Sequence, residues 1–332
     1  MRRLGLALAI AHGCLVLSSV AWGGSESLKA PSSRGERIRQ AEVVIVRGSA
    51  DHMEQVMSKA KMRFVVVDPS ELPQIELHGQ QVLMVNCTGE MSAAARERVR
   101  RFVNAGGLLY TTDHAVHYLI ERIFPGFLKY DGVSSSAQIF PMEVSGDQGL
   151  LRNIRTTGHP RWQLAGGGFL FEVLAPQKVE VLMRSKQVGA AYGTPVLGVR
   201  FRVGDGQVVH VTGHFFTQPG QRPEVAAAGQ AFEQLSANVV SEQKAEKSRI
   251  DGLYNVLPKR PAVMREAPDA AAAPVASMED VARGEGAKAK ANKKVGVTAT
   301  PASKLHVLKR EGGYVQVRDA TGNEGWIDAD AL

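Results

Sequence analysis

Aspartate and histidine adjoin at Asp113-His114, a histidine follows a glycine at Gly213-His214, and another stands at His52. A carboxylate beside imidazoles is the equipment of general acid–base chemistry, because histidine titrates near neutral pH and a carboxylate steadies its charged form. With His117 three residues beyond His114, these residue types also suit a Zn²⁺ or Fe²⁺ site. No HExxH or comparable spacing accompanies them, so neither a metal nor any other cofactor is expected. Each residue also has a plainer role. Asp113 can cap a helix over 115–123, and His214 can be a core histidine bonded to a carbonyl. Cys87 lies in Asn86-Cys87-Thr88-Gly89, with no adjacent base and no elbow glycine pair. It is expected to be an inert, buried thiol.

The elements around these residues say where they stand. Val82 to Val85 is a continuous apolar run of the kind a strand buried on both faces requires. Ser92 caps a helix with Ala95, Val99, Phe102 and Val103 on one face, and Asn104-Ala105-Gly106-Gly107 stops it. Leu108 to Thr112 is then the next parallel strand, with Asp113 at its carboxyl end. Upstream, Val43–Val46 and Phe64–Val67 read as strands around a helix over 53–61. This alternation builds a parallel sheet whose carboxyl edge carries ligands, so His52, Asp113, His114 and His214 are expected to converge on one crevice. Short apolar runs at 169–174, 179–184, 196–203 and 207–212 are separated by glycine and proline turns and predict an antiparallel extension. A helix over 223–247 closes a domain spanning 41–247.

The 332-residue chain is 44% hydrophobic, enough for a sizeable core, and carries a formal charge of +7. Arg2 and Arg3, an apolar stretch to Val20 and Ala21-Trp22-Gly23 compose an export signal over 1–23; an uncleaved anchor is the alternative. Its removal takes Cys14 and leaves Cys87 as the sole cysteine, so no intramolecular disulfide staples the fold. Residues 24–40 are polar and suit a flexible leader. Residues 248–292 shift to alanine, proline and charge and are expected to be a disordered linker. Lysines and arginines gather from Arg283 to Arg310. An exported chain has little occasion to meet nucleic acid, so this charge suits either a solvated segment or an anionic envelope surface. The last 40 residues regain strand character as a small β-meander.

Two resemblances follow from these motifs. Arg101-Phe102-Val103-Asn104-Ala105-Gly106-Gly107-Leu108-Leu109, with the late Gly204-Asp205-Gly206-Gln207-Val208-Val209-His210-Val211-Thr212-Gly213-His214, resembles the class I glutamine amidotransferase-like superfamily, and within it the trehalose-utilisation (ThuA-like) branch. The resemblance implies a flavodoxin-like sheet. It also implies a site at the turn after Leu108–Thr112, where amidotransferases carry a nucleophilic cysteine. Here that turn reads Thr111-Thr112-Asp113-His114-Ala115, which argues against glutamine hydrolysis because that reaction needs an activated thiolate. Asp113-His114 and Gly213-His214 match the ThuA-like pattern, and Gly48-Ser49-Ala50-Asp51-His52 is similar to its first loop. At the other end, Leu305 to Lys309, Gly313-Tyr314-Val315-Gln316-Val317 and Gly322-Asn323-Glu324-Gly325-Trp326-Ile327 resemble a bacterial SH3-like module over 293–332. That resemblance implies binding of peptidoglycan or a peptide, with Tyr314 and Trp326 lining the groove or filling the module's core.

The expectation is therefore an exported periplasmic or cell-envelope protein: a flavodoxin-like α/β domain, a linker and a small all-β SH3-like module. Two functions fit it. In the first, the protein is a non-catalytic binder or scaffold, with a small molecule in a crevice formed by His52, Asp113, His114 and His214. In the second, it is a ThuA-like enzyme acting on a sugar-like or amide-bearing envelope compound through Asp113, His114 and His214. The missing elbow cysteine and the terminal module favour the first. The oligomeric state is left open.

Overall fold

The computed structural model describes residues 33–146, 149–154, 160–164, 166–214, 223–285 and 296–332; the expected signal (1–23) and the end of the expected linker (286–292) lie outside them. Strands β1 (Val43–Val46), β2 (Phe64–Val67), β3 (Val82–Val85) and β4 (Leu108–Thr112) form from runs of aliphatic residues with almost no polar face. Successive side chains point to opposite faces. Val43, Ile45, Val82, Met84, Leu108 and Tyr110 therefore join one core, with helix α2 (Met53–Lys59) against it. Val44, Val46, Leu83, Val85 and Leu109 join the other, beneath helix α3 (Ala93–Asn104). Ser92 Oγ caps α3 by accepting from the Ala95 N–H at 3.2 Å.

Residues 34–40, expected to belong to a flexible leader, form helix α1 (Arg34–Gln40) instead. Ser33 caps it and Ile38 is buried in the second core, one apolar anchor within a sequence of arginines. Beyond β4 a π-helical turn (Val116–Ile120) runs into the short α4 (Glu121–Ile123). Strands β5 (Leu128–Ser134), β6 (Gln138–Pro141), β7 (Glu143–Val144), β8 (Arg161–Leu164) and β9 (Phe169–Val173) follow. Then come β10 (Val179–Arg184), α5 (Lys186–Tyr192), β11 (Val196–Val203), β12 (Gly206–Val211) and the 31-residue α6 (Pro223–Leu253), which packs on the first core.

The central sheet has the order β2-β1-β3-β4-β12-β11-β10-β7. Its first five strands are parallel and the last three antiparallel, so the α/β fold with an antiparallel extension is what the chain adopts. β5–β9 and β6–β8 form two small accessory sheets.

The expected linker is the main correction. Residues 248–253 complete α6, and Tyr254 is buried. β13 (Ala262–Val263) pairs with β14 (Thr298–Ala299), Val256 bridges Leu305, and Arg265 bridges Trp326. These segments complete a small antiparallel module with β15 (Leu305–Glu311), β16 (Tyr314–Asp319) and β17 (Glu324–Asp328), and helix α7 (Met278–Glu285) lies in the excursion between β13 and β14. The module fits an SH3-like fold, but it begins near residue 254 rather than 293. Composition hid its first half because each short strand buries only one small residue, Ala262 in β13 and Ala299 in β14, which with Met264 just after β13 pack against Leu305, Val315, Val317 and Ile327.

Nor is the module tethered loosely. Asp205, in the β11–β12 turn, accepts from Tyr254 Oη at 2.8 Å, His306 Nδ1 at 2.9 Å and Arg318 Nη1 at 2.7 Å. Arg101 of α3 donates to the Ala276 carbonyl at 2.9 Å and to Asn323 Oδ1. Gly322 approaches so closely that a Cβ there would lie 1.9 Å from the Arg101 carbonyl oxygen.

Candidate functional site

Four neighbouring parallel strands, β1, β3, β4 and β12, each deliver one chemical group just beyond their carboxyl ends. These are Asp51, Cys87, Asp113 and His214. Asp113 is fully buried and its backbone has φ of +47°, the left-handed conformation of a sharp strand-to-helix turn. Its Oδ1 accepts from the Phe169 N–H at 2.6 Å. Its Oδ2 has no hydrogen bond among the described residues and lies 3.5 Å from His214 Nε2. The same Nε2 is 3.1 Å from Cys87 Sγ, so one imidazole nitrogen faces both a thiol and a carboxylate.

Asp51 holds the floor. Its Oδ2 accepts from the Cys87 N–H at 2.9 Å and from the Thr112 hydroxyl, fastening the β3 and β4 loops to the β1 loop. The Cys87 carbonyl in turn accepts from the Ser49 N–H at 2.9 Å and the Ala50 N–H at 3.2 Å. Gly48 permits that approach, since a Cβ there would stand 2.1 Å from the same carbonyl oxygen. His114 donates to the Gly167 carbonyl through Nε2 at 2.8 Å, and its ring lies 3.9 Å from Phe169 and 6.0 Å from the His214 ring. Trp162 Nε1 donates to the Thr212 carbonyl at 2.5 Å and supports the turn that carries His214.

The electrostatics set these groups apart. Burial raises the Asp113 carboxyl above its ordinary value and the Asp51 charge adds to that, while His214, the Phe169 N–H and His114 oppose it. Burial drives the Cys87 thiol well above its usual range, with the Asp51 and Asp113 charges adding to the effect and the His114 backbone N–H opposing it. Burial thus disfavours the Cys87 thiolate.

Of the residues singled out in the sequence, Asp113, His114 and His214 come together. His52 does not join them: its side chain is half exposed and its Nδ1 is 3.1 Å from Glu54 Oε1, while its neighbour Asp51 turns inward. His117 pairs with Glu121 at 3.2 Å. Cys87, expected to lack a base, has one supplied from β12, 127 residues later. The signal for Asp51 was its place in the first loop, one residue from the histidine that drew attention. Tyr314 and Trp326 belong to the distant module. Trp326 is buried, with Lys309 Nζ 5.7 Å from its ring centroid, and Tyr314 is the partly exposed ring of the two. Among the described residues, the cavity touching His214 has a volume of about 30 Å³, with Val56, Trp162 and Phe232 on its walls. No group of three or more metal-ligating side chains is poised to hold an ion among the described residues.

No family model matches the chain, and no curated protein matches it. Solved structures do. A cytoplasmic protein from Salmonella typhimurium is 9% identical, with a TM-score of 0.42, over 60% of this chain and 98% of that one. A ThuA-like protein from Bacteroides uniformis is 13% identical, with a TM-score of 0.41, over 64% of this chain and 93% of that one. The β-galactosidase of Bacillus circulans sp. alkalophilus is 13% identical, with a TM-score of 0.42; the match covers 87% of this chain but only 41% of the enzyme.

Proposed function

We propose that this is an exported cell-envelope enzyme whose ThuA-like α/β domain performs acid–base chemistry on a small sugar-like or amide-bearing compound. One observation carries the proposal: the unbonded Oδ2 of a fully buried Asp113 faces His214 Nε2 at 3.5 Å on the carboxyl edge of a parallel sheet. Burying two carboxylates, Asp51 and Asp113, beside an imidazole costs on the order of several kcal/mol per ion before pairing, and a scaffold has no use for that expense. In this reading His214 takes the proton at Nε2, Asp113 stabilises the imidazolium that forms, and His114 fixes the Gly167 loop. Cys87 stays a thiol throughout, because a nucleophile must be a thiolate and burial, with the neighbouring carboxylates adding to it, opposes that charge.

The non-catalytic reading has its own support: Asp113 occupies the turn position where amidotransferases carry the cysteine. A panel of 4-nitrophenyl glycosides and esters, with ammonia release from glutamine alongside, separates the two. Turnover of a glycoside or ester is expected, falling about 10²–10⁴-fold in His214→Ala and surviving in Cys87→Ser, with no ammonia from glutamine. Absence of any turnover, or turnover indifferent to His214, leaves the scaffold reading in its place.

For the SH3-like module we propose a peptidoglycan or peptide partner, reached through the partly exposed Tyr314 edge rather than through Trp326. The support is the Gly-Asn-Glu-Gly-Trp-Ile motif (322–327) and the flanking Lys309 and Arg310. The full chain should sediment with purified wall material at 1 M salt, where the Debye length is about 3 Å, and Tyr314→Ala should release it. Sedimentation that vanishes with salt alone would reduce this surface to a diffuse cation.

A further inference from the structure

A cavity of about 480 Å³ lies at the opposite, amino-terminal edge of the sheet, where the α/β domain meets the module. The approaches to β1 and β3, the last turns of α6, and Lys304 and Ala320 of the module enclose it. Its charges are unevenly matched. Glu42 is engaged by Lys244 at 2.9 Å, and Asp251 accepts from Gln80. Arg39, Lys247 and Lys304 have no carboxylate partner among the described residues.

Its wall includes Gln243, which is 1% exposed. The amide is pinned: Nε2 donates to the Gly79 carbonyl at 2.6 Å and the Gly106 carbonyl at 2.9 Å. Flipping it would set an oxygen against two carbonyl oxygens, so the acceptor and donor ends are fixed. Among the described residues Oε1 is left without a hydrogen bond, a buried acceptor of the kind that native proteins seldom leave unsatisfied.

We propose that this cavity binds a small hydroxylated organic acid, its carboxylate held by Lys247, Lys304 and Arg39 and a hydroxyl donating to Gln243 Oε1. Cations without partners supply the attraction for the acid, and the pinned acceptor selects for a hydroxyl donor. Because Lys247 belongs to α6 and Lys304 to the module, the occupant bridges the two. Nothing in this site depends on the chemistry at the carboxyl edge, so failure of either leaves the other standing.

Gluconate carries both features, sorbitol the hydroxyls without the charge, and acetate the charge without the hydroxyls. Thermal unfolding of the mature chain at fixed ionic strength should show a saturable rise of Tm with gluconate and none with equal sorbitol or acetate. The double substitution Lys247→Gln/Lys304→Gln changes only exposed side chains and should raise the apparent Kd for gluconate at least tenfold. A gluconate effect that fails to saturate, that acetate or sorbitol reproduces, or that persists unchanged in the double variant overturns the site.

Discussion

Asp205→Ala should free the C-terminal module from the α/β domain. The carboxylate is 9% exposed and takes hydrogen bonds from Tyr254, His306 and Arg318 at once. Burial alone would raise its pKa, but the bonds from His306 and Arg318, the Arg318 charge and the Tyr254 hydroxyl together hold it below the ordinary carboxylate value. Its contribution is therefore fully present above the unfolded-state pKa of 3.8 and is lost as pH falls through the lower folded value. Truncating it strands Arg318, itself 7% exposed, with Glu324 as its remaining carboxylate. Removing one partner from a buried ion pair costs about 3–5 kcal/mol. Urea unfolding at pH 7 should change from one transition to two, with proteolysis appearing just beyond Leu253. A single transition at the wild-type midpoint would mean that the docking is held elsewhere.

Asp113→Asn should stop turnover and yet stabilise the protein at neutral pH. Because the folded pKa is raised, the native state holds more protons than the unfolded chain between 3.8 and the folded value, and stability falls as pH rises through that window. A tenfold difference in proton affinity between the folded and unfolded carboxyl is worth about 1.4 kcal/mol. Asparagine keeps the Oδ1 that accepts from Phe169, tolerates positive φ, and carries no charge to bury. His210 acts in the opposite sense: burial drives its pKa to about 3, so its contribution grows as pH rises toward its unfolded value of 6.5. It is common to both proteins and cancels in their difference. The Tm advantage of Asp113→Asn over wild type should therefore widen from pH 4 upward and then level off. A variant that is less stable at every pH would make Asp113 a structural residue.

Much of this architecture was legible because strands buried on both faces need unbroken apolar runs, and β1 and β3 have them, while β4 departs from one only in its terminal Thr111 and Thr112. β5 was not, since Leu128–Ser134 contains Asp131 and Gly132 and buries only Leu128. Helix α1 was hidden by its arginines, with Ile38 its one buried side chain. At the site, strand ends could be located from sequence, but the direction of a loop side chain could not. That is how Asp51 enters the cluster while His52 faces Glu54. The contact of Cys87 with His214 depends on β12 lying beside β4, a neighbour relation that no local pattern announces.

The position of β12 also bears on how the chain comes to be folded. The last strand of the sheet in sequence lies in its middle, and its contact between Thr111 and His210 closes across 99 residues. Until that strand has been made, β4 has an open edge and the hairpin of β10 and β11 has nothing to join. Loop-closure entropy must be met before such distant pairing returns any energy, so folding is slow, and the waiting edge of β4 is free to pair with other chains. For a chain that emerges amino end first, the first half of the sheet is therefore an aggregation hazard for as long as residues 206–211 are missing. Truncation before residue 206 should give insoluble product, not a smaller working domain.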